Sequence, residues 1–121
     1  MNTPGKPKPP EFGYAFDSLK NAAIVRLRGR AGFEQMPVLE KCFKAVKALT
    51  DHHIILELSE LSYIGSAGLG AFVNLKHAVE ARGGRIVLAG LNPLVYDLFE
   101  TAGFTKLFAV FPTLDEAVPK E

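Results

Sequence analysis

The run "IILELSELSYIGSAGLGAFVNLKHAVEARGGRIVLAG", Ile54 to Gly90, decides the fold. Ile54 to Leu56 form a continuous apolar centre, the pattern of a strand buried within a covered sheet. From Ser66 the apolar spacing lengthens to three and four. Ala67, Ala71, Phe72, Leu75, Ala78 and Val79 make a stripe that predicts an amphipathic helix to about Arg82. Gly83 stops it as a left-handed cap, and "RIVLAG" supplies a second buried strand. Two such strands joined by short loops through one helix form a parallel crossover rather than a hairpin.

The same reading extends outward. "YAF" and "AAIVRLRG" are two short strands joined by a turn around "SLKN", with Ile24, Val25 and Leu27 in the core and Arg26 and Arg28 alternating outward. Gly29 and Gly32 punctuate the following loop. From Glu34 to Leu49, Met36, Leu39, Cys42 or Phe43, Val46 and Leu49 recur at helical spacing with Lys41, Lys44 and Lys47 between them. After Gly90, Asn92 is placed as an N-cap, Pro93 at the first helical position and Gly103 at the end of a third helix. "KLFAVFPTLDEAV" gives a short strand and a last helical turn started by Thr113, with Glu116 at capping-box spacing. The order is ββαβαβαβα, an α/β fold with a mostly parallel sheet and an antiparallel edge. Residues 1–11, rich in Pro, Lys and Gly, read as a disordered tail, and residues 12–121 as one domain.

At 121 residues the chain can bury a core without disulfides or metals. A net charge of +1 with scattered Lys and Arg points to no direct nucleic-acid partner. The single cysteine, Cys42, sits at an apolar-periodic position and reads as a buried structural thiol in a reducing compartment. The N-terminus lacks the apolar stretch of a signal peptide, and no run is long enough to insert in a membrane. A cytoplasmic location without cofactor or metal is expected.

In parallel α/β sheets function gathers on loops at the carboxyl ends of the strands. Here those loops are Arg30 to Phe33, "SELSYIG" before Ser66, and Ala89 to Asn92. Ser66 lies in Ile64-Gly65-Ser66-Ala67-Gly68, where the first glycine is one position too close for a nucleophile elbow. His52 and His53 open a strand at the opposite end of the sheet, and His77 is about 16 Å along the helix from Ser66. No imidazole can serve the hydroxyl, so an enzyme is not expected. A P-loop would need a Lys-Ser/Thr pair after its last glycine, which is missing. Weak anion affinity at the helix start stays open. The glycines suit a sharp strand-to-helix corner with Ser66 as N-cap. Gly68 and Gly70, however, fall in the first helical turns, where each costs about 1 kcal/mol relative to alanine. They leave a low backbone suited either to close packing or to contact by another molecule. Leu69 is expected to lie off the buried stripe, as part of a docking patch.

"LSYIGSAGLG", "GGRIVLAGLNPLVYDLFETAGF" and "FPTLDEAV" together resemble the STAS domain, strongly over Ile54–Val118, and most of all its stand-alone bacterial anti-sigma factor antagonists. The resemblance implies a sheet with helices packed mainly on one face. It also implies a switch. The unphosphorylated antagonist binds an anti-sigma factor that is also a serine kinase, and so frees the sigma factor. Phosphorylation of the serine before the "x-G-L-G" run, here Ser66, blocks that binding, and a metal-dependent serine phosphatase resets it. The partner surface so implied comprises Gly65, Ser66, Ala67, Gly68 and Leu69, with Arg30, Phe33 and Asn92 from the neighbouring loops. The chain departs from the common family form in four places. Gly65 stands for an Asp, Ala67 for a second hydroxyl residue, and Glu57 for an Asp often found in the preceding strand. The first loop also lacks an acid that many antagonists carry. A phosphorylation-independent interaction module, such as a membrane lipid transporter accessory subunit or a signalling scaffold, is the alternative.

Overall fold

The computed structural model describes residues 11–120, so the tail expected for residues 1–11 lies, apart from Glu11, outside the described residues. Strand β1 (Gly13–Leu19) turns through Lys20 and Asn21 into β2 (Ala22–Ala31), and the two pair antiparallel from Leu19↔Ala22 to Gly13↔Arg28. Lys20 takes the tight turn with φ +55°. Three parallel pairings follow, with β3 (His53–Ile64), β4 (Arg85–Ala89) and β5 (Ala109–Phe111), in the sheet order β1-β2-β3-β4-β5. Because each crossover steps the same way along the sheet, a common right hand puts every connecting helix on one face. These are α1 (Met36–Lys47), α2 (Ser66–Ala81), α3 (Pro93–Thr101) and the one-turn α4 (Phe104–Leu107), which was not expected from the sequence. The short α5 (Leu114–Ala117) crosses to the other face, where Ala117 packs with Ile24, Ile55 and Val87.

The main core lies between helices and sheet. Phe72 of α2 is its hub, fully buried and in contact with the rings of Phe43, Phe99, Phe104 and Phe108 at 5.3 to 6.4 Å. The alternation of β2 sends Val25 and Leu27 into this core and Arg26, Arg28 and Arg30 to the opposite face. Cys42 is buried, and desolvation pushes its thiol up to about 12, which fits a structural role.

Two boundaries differ from expectation for one reason. Strand β2 does not end at Gly29 but runs on to Ala31, and β3 does not end near Ser59 but runs to Ile64. Gly29 adopts φ +87° at a register shift and makes room for the Glu11 carbonyl. It bends the strand at a bulge instead of ending it. The stretch "SELSY", expected as loop, is therefore strand, and Arg30 is a strand residue paired with Tyr63. Among the described residues no helix is long and apolar enough to cross a membrane.

Candidate functional site

The extension of β2 and β3 carries the two strand ends side by side. The Gly65 amide donates to the Ala31 carbonyl at 2.9 Å, and the Gly65 carbonyl accepts from Leu69 at 3.0 Å to open α2. Gly65 itself is the N-cap, in extended backbone at φ −88°, and Ser66 is the first helical residue. Ser66 thus does not cap its own helix. Its hydroxyl has no hydrogen-bond partner among the described residues, and the residue is exposed. The first turn of α2 holds no acidic residue of its own to balance its free amides, although Glu34 and Glu40 line the neighbouring cleft with Ala67.

The two glycines beyond divide the roles left open by the sequence. A methyl at Gly68 would lie 2.7 Å from Ile64 Cγ1 and 3.6 Å from Leu39 Cδ2, so this glycine lets α2 press onto the sheet end and α1. Gly70 is exposed, with nothing within 4 Å of an added Cβ. It sits one turn below Ser66 on the same side of the helix and keeps the backbone there bare. The buried stripe is rotated relative to expectation. Gly68, Phe72, Leu75 and Val79 face the core, Ala67 is exposed, and Leu69 is half-buried against the core instead of standing outward.

Neighbouring connections bring two apolar side chains to this end of the sheet. Phe33, in a 3-10 turn between β2 and α1, is 84% exposed, and with Glu34, Met36, Pro37, Glu40 and Ala67 it lines a cleft of about 450 Å³. Leu94, in the first turn of α3, is 64% exposed. Because β3 lies between β2 and β4, Ser66 sits between the connections that carry them. The sequence reading missed Leu94. The signal was present, since Leu94 falls off the Val95–Phe99 stripe that α3 buries.

The fold holds the two further expected contacts, Asn92 and Arg30, through bonds and contacts of their own. Asn92 caps α3, accepting from the Val95 amide at 3.0 Å and donating from Nδ2 to the Leu61 carbonyl at 2.7 Å. Both polar ends of Asn92 are engaged, so it braces the site wall. Arg30 lies on the sheet face away from the helices, its guanidinium 4.5 Å over the Tyr63 ring. Tyr63 in turn reaches the strand-to-helix corner, its hydroxyl 3.7 Å from where a Gly65 Cβ would be. Glu57 sits on the face away from the helices, accepting from Ser59 Oγ at 3.1 Å and 3.8 Å from Arg26. His53 starts β3 at the far end of the sheet, and burial, His52 and Arg85 lower its pKa from the usual imidazole value.

The STAS domain family model matches residues 15–117. An anti-sigma F factor antagonist of Paenibacillus polymyxa is 27% identical over 100 residues, covering 82% of this chain and 83% of that protein. The crystal structure of an anti-sigma factor antagonist from Mycobacterium paratuberculosis has a TM-score of 0.80 at 22% identity, covering 88% of this chain and 91% of that one. The phosphorylated form of the Bacillus cell fate determinant SpoIIAA gives 0.65 at 20% identity, over 87% and 96% of the two chains. At these identities the two structures establish the likeness of the fold.

Proposed function

The chain belongs to the STAS domain family, and on that premise we propose that it is an anti-sigma factor antagonist switched by phosphorylation of Ser66. The observation that carries this reading is the free, exposed Ser66 hydroxyl at the head of α2, between the connections that bear exposed Phe33 and Leu94. In the unphosphorylated protein this face is apolar, low and uncharged at its centre, suited to bury against an anti-sigma factor. That partner, acting as serine kinase, transfers the γ-phosphoryl of ATP to Ser66 Oγ and releases ADP and a proton. The product carries nearly two negative charges beside the first amides of α2, where the helix end tolerates them and the domain stays folded. Desolvating that dianion against the partner costs enough to weaken binding by about 100-fold or more, about 3 kcal/mol. A metal-dependent phosphatase restores the hydroxyl.

The test is incubation with the anti-sigma kinase and ATP, followed by mapping of phosphate by mass spectrometry. Phosphate is expected on Ser66 of the wild type and none on Ser66→Ala, with Ser66→Asp bound more weakly than wild type. Phosphate on Ser66→Ala, or undiminished binding by Ser66→Asp, refutes the switch. Gly65 and Ala67, in place of an acid and a second hydroxyl, favour a second reading in which this face binds its partner without phosphorylation. An anti-sigma factor bound tightly by a chain that it never phosphorylates would establish that alternative.

A further inference from the structure

The cleft at Phe33 does not end at Ala67. A second hollow of about 320 Å³ lies between α1 and α2, lined by Glu40, Phe43, Lys44, Lys47, Ala71 and Asn74. Glu40 borders both hollows, and α2 contributes Ala67, Ala71 and Asn74, positions that fall on one face of a helix. The two hollows thus follow one another along about 10 Å of α2, from Ala67 to Asn74, with Glu40 bordering both, and are treated together as one groove. Its ends differ in chemistry. The end beside Ser66 is walled by Phe33, Met36 and Pro37, with the exposed Glu34 also in its lining. The far end carries Lys44 and Lys47, both exposed and in no ion pair among the described residues, whereas Lys76 of α2 is held by Glu80 at 2.8 Å.

We propose that this groove receives an acidic amphipathic helix of the anti-sigma factor, its apolar residue at the Phe33 end and its carboxylates opposite Lys44 and Lys47. The assignment rests on the antagonist reading above and adds to it the chemistry of the partner. Two packed helices with small residues on one wall offer a groove of the kind that takes a third helix. The groove length sets the spacing, because 10 Å of helix is about seven residues between the apolar anchor and the acids. Glu40, midway, disfavours a carboxylate at that point and so helps fix the register.

The test uses the purified full chain against the anti-sigma factors of its own organism. The variants are Lys44→Glu/Lys47→Glu, Lys44→Gln/Lys47→Gln and, as a control on α4, Lys106→Glu. Both lysines also complement the carboxyl end of α1, so unchanged secondary structure and thermal midpoint are checked first. The charge reversal is expected to weaken binding about tenfold or more at 0.1 M salt and by less than about threefold at 0.5 M, with the glutamine pair intermediate and the control unchanged. If Ser66→Asp weakens binding while the charge reversal binds as wild type, the groove assignment is overturned and the antagonist reading stands. If no anti-sigma factor binds the wild type, the antagonist reading falls and the groove assignment with it.

Discussion

Gly68 and Gly70 stand two residues apart in one helix, and alanine at the two positions is expected to act in opposite directions. Each substitution gains about 1 kcal/mol of intrinsic helix preference. At Gly70 nothing opposes the gain, because no atom lies within 4 Å of the new methyl, so Gly70→Ala is about 1 kcal/mol more stable than wild type. At Gly68 the methyl meets Ile64 Cγ1 at 2.7 Å and Cδ1 at 3.0 Å. Ile64 is 2% exposed and anchored at the end of β3, so it cannot swing into solvent. Overpacking of this kind costs about 1–3 kcal/mol, which leaves Gly68→Ala between neutral and about 2 kcal/mol less stable than wild type. The gap between the variants is then about 1–3 kcal/mol. At a urea dependence of about 2 kcal/mol per molar, the midpoints separate by about 0.5–1.5 M. Urea unfolding followed by circular dichroism reads the difference directly. A Gly68→Ala midpoint equal to or above that of Gly70→Ala would refute the assignment of Gly68 to packing and Gly70 to open surface. The same pair reports on function. Gly70→Ala, although more stable, sets a methyl one turn below Ser66 and is expected to bind the partner more weakly.

Phe33→Ala removes an exposed ring, so the thermal midpoint should hardly move while affinity for the anti-sigma factor falls about 10- to 100-fold, measured by calorimetry; equal affinity would remove Phe33 from the interface. Gly65→Asp has room, since its Cβ would meet nothing closer than 3.7 Å, and the new carboxylate would cap α2 and face its unbalanced amides. A gain of about 0.5–1 kcal/mol in urea unfolding is expected, and a loss of stability would contradict the geometry of the corner. His53 has a lowered pKa in the folded state, so the unfolded chain takes up its proton first as pH falls. Its contribution is full above the ordinary imidazole value of about 6.5 and is lost as pH drops toward the folded-state value. His53→Gln should flatten the decline in stability below pH 6.5, and an unchanged slope would show that His53 does not contribute to it.

The order of elements was legible because each long element is marked twice. The α2 segment has a helical stripe and a Gly83 stop, α3 has Asn92, Pro93 and Gly103, and the last turn has Thr113 bonded to the Glu116 amide as its spacing predicts. The carboxyl ends of β2 and β3 were not legible, because a glycine in a strand and a glycine after it look alike in sequence. The positive φ of Gly29, the register shift beside it and the approach of the Glu11 carbonyl show that it is a bulge. The short α4 escaped for a related reason, as four residues are too few for a helical period to emerge.

At the site the error was one of helical phase, and its correction sharpens the functional argument. With Ser66 taken as N-cap, its hydroxyl would be spent on an amide of its own helix and would have to leave that bond to react. With Gly65 in that place, the hydroxyl is free before any partner arrives. The same correction turns Gly68 inward onto Ile64 and leaves Ala67 and Gly70 as the exposed neighbours of Ser66. A glycine at the cap in place of an acid costs about 0.5–1 kcal/mol, capping and helix-dipole contributions together, so the missing Asp is a small loss to folding. Its larger consequence is electrostatic. A carboxylate beside Ser66 would repel a phosphoryl group and would itself sit at the positive end of α2, whereas here the first turn of α2 holds no acid. Under the proposed switch, a phosphate on Ser66 would supply the charge that the first turn of α2 lacks, and the contrast in charge between the two forms would be correspondingly greater.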